Sequence, residues 1–286
     1  MSALSAWWFA PVARGRIAWL RTALYLFIPV DVLLTTSWVV EHAGVPGSLY
    51  QPLYVGRLLS LPVPTFAMVH GLRIAVVAAA LIAATGRRPR LLGAIVFALY
   101  FEWMVVAMSY GKVDHDRFAF LVALAVLPTV GRVRHADRET DDATGWAVRA
   151  IQVAVVATYF LAALAKFRFG GWDWANGATL TRAVLRRGTS FGTPLLDFPW
   201  ILQATQWGII AFELASPLLL VRGRVGHAMV ALCIAFHLVT FATITIIFLP
   251  HVMCLLAFLP LERLRTPHVL RRPVASEGYG EPIGVT

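Results

Sequence analysis

The chain has 286 residues, of which 59% are hydrophobic and only 14% are charged. A soluble domain carries roughly 25% charged residues, so this composition excludes an ordinary soluble protein and predicts a polytopic integral membrane protein. The formal net charge is +10, but the arginines that produce it lie in short loops between apolar runs. Such a distribution is typical of membrane proteins, and it predicts a lipid bilayer rather than nucleic acid as the partner of these basic residues.

Both cysteines of the chain, Cys233 and Cys254, lie within apolar runs. A cysteine in such a run usually behaves as a small hydrophobe. The sequence also lacks the closely spaced histidines and cysteines that bind zinc. We therefore predict neither a disulfide nor a metal site.

The apolar runs predict an all-α bundle of about eight transmembrane helices, because a bilayer core accommodates about 20 apolar residues per helix. The predicted spans are 17–40, 66–86, 91–110, 117–131, 147–166, 200–221, 225–246 and 247–261. The predicted parts of the chain are a cytoplasmic N-terminal segment at 1–16, a transmembrane domain at 17–264 and a disordered cytoplasmic tail at 265–286. The tail is predicted to be disordered because it has no apolar periodicity.

The orientation follows from the loops that are richest in arginine. These loops lie near 14–16, 87–90, 132–138, 222–224 and 263–272. With eight spans they all fall on one face, which the positive-inside rule assigns to the cytoplasm. The sequence therefore predicts a multi-pass plasma-membrane protein with both termini in the cytoplasm and the segment after residue 166 outside.

The charged side chains within the spans include Asp31, Arg73, Glu102 and Glu213, which are the candidates for structural charges inside the bilayer. The histidines in the spans are His70, His237 and His251. Charges inside a bilayer are costly and usually face the interior of a bundle. At a rise of about 1.5 Å per residue, Arg73 lies near the depth of both Glu102 and Asp31. We therefore predict that Arg73 forms a structural ion pair with one of these carboxylates.

A basic stretch at 181–187 lies in the outer segment 167–199 and departs from the positive-inside rule. One interpretation is an amphipathic helix on the lipid headgroups. The other is a segment that folds inward and binds an anionic group.

Lys166 is unusual, because the chain has only two lysines against 23 arginines. It is placed at the outer end of the fifth predicted span. The side chain either reaches the interface and anchors the helix or lies desolvated in a pocket and acts as a base. His115 is placed at the same outer level, where a histidine and a desolvated lysine form a suitable acid–base pair.

The chain resembles the HTTM (horizontally transferred transmembrane) domain family, which includes the transmembrane domain of the vitamin K-dependent gamma-glutamyl carboxylase. The most specific segment is Tyr-Phe-Leu-Ala-Ala-Leu-Ala-Lys at 159–166, followed by Trp-Ala-Asn-Gly at 174–177. The other matching features, in the same order as in the family, are Arg21, the Asp-His-Asp-Arg-Phe around His115, Glu213 and the Phe-His pair at 236–237.

The resemblance implies a carboxylase-like membrane bundle with an outward-facing site for a reduced naphthoquinone of the vitamin K or menaquinol type. Lys166 corresponds to the lysine that deprotonates reduced vitamin K, and His115 to a histidine that stabilises the reaction. The residues expected to line the quinol pocket are Trp172, Trp174, Tyr159 and His237.

The function predicted from this resemblance is quinol- and oxygen-dependent chemistry on a small molecule. The carboxylase has two adjacent lysines where this chain has Ala165 and Lys166. It also carries a soluble substrate-recognition domain after the spans, which we do not expect here. The alternative function is a non-catalytic membrane scaffold or a component of a small-molecule transporter.

Overall fold

The computed structural model describes residues 2–264, which form a helical bundle with one short pair of strands. The α-helices are α1 (Ala3–Trp8), α2 (Arg14–Val30), α3 (Tyr54–Leu58), α4 (Phe66–Ala84), α5 (Pro89–Met108), α6 (Phe118–Val126), α7 (Asp142–Gly170), α8 (Ala178–Arg187), α9 (Pro199–Leu214), α10 (Arg224–Ile244) and α11 (Leu249–Cys254). The strands are β1 (Val12–Ala13) and β2 (Thr140–Asp141). The predicted all-α class is confirmed, whereas the predicted tail at 265–286 lies outside the described residues.

Within residues 2–264, 5 helices are long and apolar enough to cross a membrane. They are Arg14–Thr35, Phe66–Ala84, Pro89–Met108, Asp142–Gly170 and Arg224–Ile244. The remaining predicted spans coincide with shorter helices, of which α6 has 9 residues and α9 has 16. A helix of 9 residues extends only about 14 Å. The structure therefore supports a helical membrane domain, and the count of eight spans stays a prediction.

The first predicted span, 17–40, is not one continuous α-helix. Helix α2 ends at Val30, and a π-helical turn at Asp31–Thr35 and a 3-10 helix at Ser37–Gly44 follow it. The hydroxyl of Thr36 donates to the carbonyl oxygen of Asp31 at 2.8 Å, which stabilises the irregular turn. Such turns are common at functional or strained positions. Here the turn places the Asp31 side chain entirely inside the bundle.

Helix α7 is the central element of the bundle. It has 29 residues and packs against α6, α9 and α11. On the other side of α6, helices α5, α4 and α2 pack against one another in turn. The largest fully buried side chains include Trp103, Tyr25, Tyr100 and Phe120, so the main core lies among α2, α5 and α6.

Arg21 fixes the end of the short helix α6. Its guanidinium donates to the carbonyl oxygen of Leu127 at 2.7 Å and to that of Gly131 at 2.8 Å, and it also contacts the carbonyl oxygen of Val130. The last carbonyls of a helix have no partner within the helix, and a cation there complements the helix dipole. Arg21 therefore has a structural role that its position within a span did not reveal.

The N-terminal segment is bound to the start of α7. Strand β1 pairs with β2, and the guanidinium of Arg149 donates to the carbonyl oxygen of Trp7 at 3.3 Å. Gly145 permits this close approach, because a Cβ atom there would lie 2.2 Å from the carbonyl oxygen of Ala10. A larger residue at position 145 would push the segment away from α7.

The same end of the bundle carries the loop before β2 and the last described turn. Arg14 pairs with Glu139 at 3.0 Å, and Arg16 pairs with Glu262 at 2.7 Å. The arginine-rich loops at 14–16 and 132–138 therefore lie at one end, as the loop pattern predicts. Which side of a membrane this end faces stays a prediction.

Candidate functional site

Lys166 lies inside helix α7 and not at its end. The helix continues to Gly170 and ends where Gly171 adopts a positive φ of 62°. The predicted span 147–166 lies within this helix, which continues past Lys166 because Phe167, Arg168 and Phe169 remain compatible with a helix until the Gly-Gly pair. About one further turn of helix α7 therefore follows Lys166.

The ammonium group of Lys166 is bound by Glu213 of helix α9. Its Nζ donates to Oε1 at 2.6 Å and to Oε2 at 2.7 Å. The side chains are 18% and 7% exposed, so the ion pair is largely shielded from solvent. The sequence placed Glu213 among the structural charges and assigned it no partner.

The indole of Trp174 covers Lys166. A 3-10 turn at Trp172–Ala175 folds back over the end of α7 and brings the ring centroid of Trp174 to 5.1 Å from Nζ. The side-chain amide of Gln206 donates to the carbonyl oxygen of Trp174, which fixes the turn on α9. A cation over an aromatic face is favourable, especially where solvent is excluded. Lys166 is therefore held on one side by a carboxylate and on the other by an indole.

Trp172 has a different environment from Trp174. Its side chain is 74% exposed and contacts the rings of Phe167 and Trp207, at centroid distances of 5.0 and 6.1 Å. Phe167, Gly171 and Trp172 line a cavity of about 210 Å³ next to this cluster. Trp172 thus belongs to the surface of the site, and only Trp174 contacts Lys166.

Tyr159 lies two turns before Lys166 and contacts two histidines. Its hydroxyl is 2.7 Å from Nε2 of His237, and its ring meets that of His251 edge-on at 4.5 Å. The two imidazole rings are 5.7 Å apart. Within the described part of the chain, both ring nitrogens of His251 and Nδ1 of His237 are buried without a hydrogen-bond partner. Each imidazole nitrogen is a potential hydrogen-bond donor or acceptor, so the two histidines bring polar groups into an otherwise aromatic part of the bundle.

His251 was one of three intramembrane histidines in the sequence, and nothing in the sequence set it apart. Its place in the site depends on the tight connection between α10 and α11, which returns the chain beside α7. Aromatic rings surround the pair of histidines, since Phe248 packs on His237 and Phe236 stacks between His237 and Phe212.

His115 lies outside this histidine cluster, on the turn His115–Arg117, which packs against helix α11. Its side chain is exposed. No hydrogen bond or ion pair joins His115 to Lys166 in residues 2–264. The hypothesis that these two residues line one pocket stays a prediction.

The HTTM domain family matches residues 53–262. The chain belongs to the HTTM family. No curated protein and no solved structure matches the chain. The predicted family membership is confirmed, and the matched region contains Lys166, Glu213, Tyr159 and all three histidines of the site.

Asp31 lies in the π turn after α2, before the matched region of the HTTM domain. Its carboxylate makes a different contact from the one predicted. Asp31 accepts two hydrogen bonds from Arg117, at 2.7 and 2.8 Å, and one from the hydroxyl of Tyr100 at 2.8 Å. The predicted pair of Arg73 with Asp31 or Glu102 was wrong. Across residues 2–264, neither Arg73 nor Glu102 forms a salt bridge.

The error has a physical cause. Depth along straight helices suggested a match with Arg73, but the π turn directs Asp31 toward α5 and α6. Arg73 lies instead on the outer face of α4, next to Ile74, which is 71% exposed. Arg117 directly precedes α6, and only the packing of the HTTM bundle brings it to Asp31.

The basic stretch at 181–187 forms most of helix α8. Its buried residue Val184 packs with Leu202 and Ile244, and its arginines are exposed. The apolar face of α8 therefore lies on the bundle. Contact of its arginines with headgroups and contact with an anionic ligand both stay predictions.

Metal binding was not expected for this chain. In residues 2–264, no cluster of three or more His, Cys, Asp or Glu side chains has an arrangement that holds a metal ion.

Proposed function

We propose that this protein is a membrane enzyme of the vitamin K-dependent carboxylase type, in which Lys166 is the base for a reduced naphthoquinone and molecular oxygen is the oxidant. The observation that carries the proposal is the shielded pair of Lys166 and Glu213 beneath Trp174. A lysine that only anchors a helix end would extend to the interface, and it would need neither a carboxylate at 2.6 Å nor an indole cover.

The pair provides a route by which Lys166 becomes a base. In the ionic form the ammonium holds three protons and Glu213 holds none. Transfer of one proton from Nζ to Oε1 or Oε2 gives a neutral amine and a neutral carboxylic acid. Exclusion of water disfavours both charges and so lowers the free-energy cost of this transfer. The free amine of Lys166 then accepts a proton from a hydroxyl group of the bound molecule.

The residues around Tyr159 fit a reduced naphthoquinone. The three buried imidazole nitrogens of His237 and His251 lack partners among the described residues, and they offer hydrogen-bond sites to hydroxyl groups. Phe236 and Phe248 supply flat apolar surfaces of the kind that an aromatic ring system contacts. When bound, a reduced naphthoquinone supplies the acidic hydroxyl groups and the electrons that reduce oxygen.

The proposal places His115 at the outer entrance, on the turn that packs against α11, and Trp172 at the surface beside the small cavity. It also places the site on the outer side of the plasma membrane, in agreement with the distribution of arginines. The substrate that is finally modified is a small molecule in this proposal, which does not specify its identity. Carboxylation of a protein is not part of it, because only one lysine occupies the 165–166 position.

The test is oxygen consumption by the purified protein in lipid nanodiscs supplied with a chemically reduced short-chain naphthoquinone. Lys166→Ala and Lys166→Arg are both expected to reduce the rate by about 10²–10⁴-fold, the usual contribution of a general base. Arginine keeps the charge but does not give up its proton at accessible pH. Lys112→Ala is the matched control, because Lys112 is the other lysine and its side chain is 76% exposed.

All three variants must elute as folded protein on size-exclusion chromatography. If Lys166→Arg retains the rate, or if the parent consumes no oxygen above a protein-free nanodisc, the proposal is wrong. Retention of the rate by Lys166→Arg would support the anchoring interpretation, and with it a scaffold or transport function.

A further inference from the structure

A groove on the outer face of helix α4 lies apart from the lysine–histidine site. It has a volume of about 490 Å³ and is lined by Leu33, His70, Arg73, Ile74, Val77, Ala78 and Leu81. The last four residues have the spacing i, i+3, i+4 and i+7, so they form one continuous apolar stripe on α4. Leu33 belongs to the π turn after α2, and it closes one side of what we call the α4 groove.

One end of the α4 groove carries an unused positive charge. Arg73 makes neither a hydrogen bond nor a salt bridge with any other residue in 2–264. The carboxylate of Asp31, its predicted partner, is bound by Arg117 instead. A charge beside lipid is costly unless a partner neutralises it. His70 is three residues earlier and lines the same groove, so it adds a second hydrogen-bond donor at this end.

The direction of α4 determines which end of the α4 groove lies near the bilayer interface. Side chains on an α-helix tilt toward its N-terminus, so Arg73 and His70 reach toward the beginning of α4 near Phe66. Arg73 is seven residues, or about 10 Å, from that end. The side chain is long enough to bring its guanidinium close to the bilayer interface, while the apolar stripe continues toward the middle of the membrane.

We propose that the α4 groove binds an anionic phospholipid. The phosphate of the headgroup accepts hydrogen bonds from Arg73 and His70, and one acyl chain lies along Ile74, Val77, Ala78 and Leu81. Arginine is well suited to a phosphate, because its planar donors bind two oxygens at once. A neutral quinol would leave the charge of Arg73 without a partner. The contribution of Leu33 from a second helix makes the groove a defined site and not a uniform lipid-facing surface.

The experiment is native mass spectrometry of the detergent-solubilised protein titrated with phosphatidylglycerol or with phosphatidylcholine of the same acyl chains. The parent is expected to retain one phosphatidylglycerol at least about tenfold more tightly than phosphatidylcholine, a factor that a single charge-assisted contact supplies. Arg73→Gln is expected to remove this preference. Ala78→Trp keeps the charge but fills the groove, and it is expected to weaken both lipids.

The matched control is Arg138→Gln in the loop before β2, which removes an exposed arginine elsewhere and should leave the preference unchanged. Equal retention of both lipids by the parent would overturn the proposal, as would an unchanged preference in Arg73→Gln or undiminished retention of both lipids in Ala78→Trp. Displacement of phosphatidylglycerol by a neutral naphthoquinone at equal concentration would also overturn it. If Arg73→Gln does not fold, Ala78→Trp decides the question, because it leaves every charge in place.

Discussion

Replacing Glu213 by leucine leaves the ammonium of Lys166 in a shielded site without its carboxylate. Only the indole of Trp174 and a weak contact with the carbonyl oxygen of Ala162, at 3.4 Å, then remain. Removing one partner of a buried ion pair costs about 3–5 kcal/mol. Since the Lys166 side chain is 18% exposed and keeps its contact with Trp174, we expect a loss near the lower limit, about 3 kcal/mol.

The assay is thermal unfolding in detergent, followed by tryptophan fluorescence. For a domain of this size, a loss of about 3 kcal/mol lowers the apparent Tm by roughly 6–12 °C. Lys166→Met leaves Glu213 unpaired and should cost a similar amount. The double variant removes both charges, and we expect it to be within about 1 kcal/mol of the parent, because apolar replacements of a whole buried pair are often neutral.

The result that would refute this reasoning is additivity. If the double variant loses the sum of the two single losses within about 0.5 kcal/mol, Lys166 and Glu213 do not interact. Glu139→Gln serves as the control, because Glu139 also pairs with an arginine but its side chain is 80% exposed. That pair should contribute less than about 1 kcal/mol.

Two further predictions concern the other ion pairs. Asp31→Asn leaves Arg117 buried beside Tyr100, and it should lower the free energy of unfolding by about 3–5 kcal/mol. Arg73→Gln in lipid-free detergent should change the apparent Tm little. A larger loss from Arg73→Gln than from Asp31→Asn would instead support a pairing of Arg73 with Asp31. Burial alone would raise the pKa of Glu262, but hydrogen bonds from Arg16 lower it below its ordinary value of 4.5. Its stabilising effect is therefore complete above that value and is lost as the pH falls below it. Between pH 7 and pH 4 the parent should lose more of its apparent Tm than Glu262→Gln, and parallel losses would contradict the assignment.

The sequence predicted correctly the features that depend on a single helix. The apolar run at 66–86 became the helix Phe66–Ala84, because its residues are good helix formers without an internal proline. The scarcity of lysine was enough to select Lys166. By contrast, the end of α7 depended on the conformation of Gly171, which the sequence permits but does not require.

The sequence did not predict which charged side chains pair between helices. Depth calculations assume straight helices perpendicular to the membrane, and the depth assigned to Asp31 failed because α2 passes into a π turn there. The partner of Asp31 therefore proved to be Arg117, and the partner of Lys166 proved to be Glu213. No local pattern could show that Glu213 lies within hydrogen-bond reach of Lys166, or that His251 lies beside Tyr159.

The contact between Arg16 and Glu262 has a consequence for the order in which the protein is assembled. The two residues are 246 positions apart in the chain, so a ribosome that adds about 5–20 residues per second produces Glu262 roughly 12–50 s after Arg16. During this interval the guanidinium of Arg16 must remain hydrated or bind a temporary partner. The ion pair that joins α2 to the last described turn therefore cannot form until nearly all of the described helices have been synthesised.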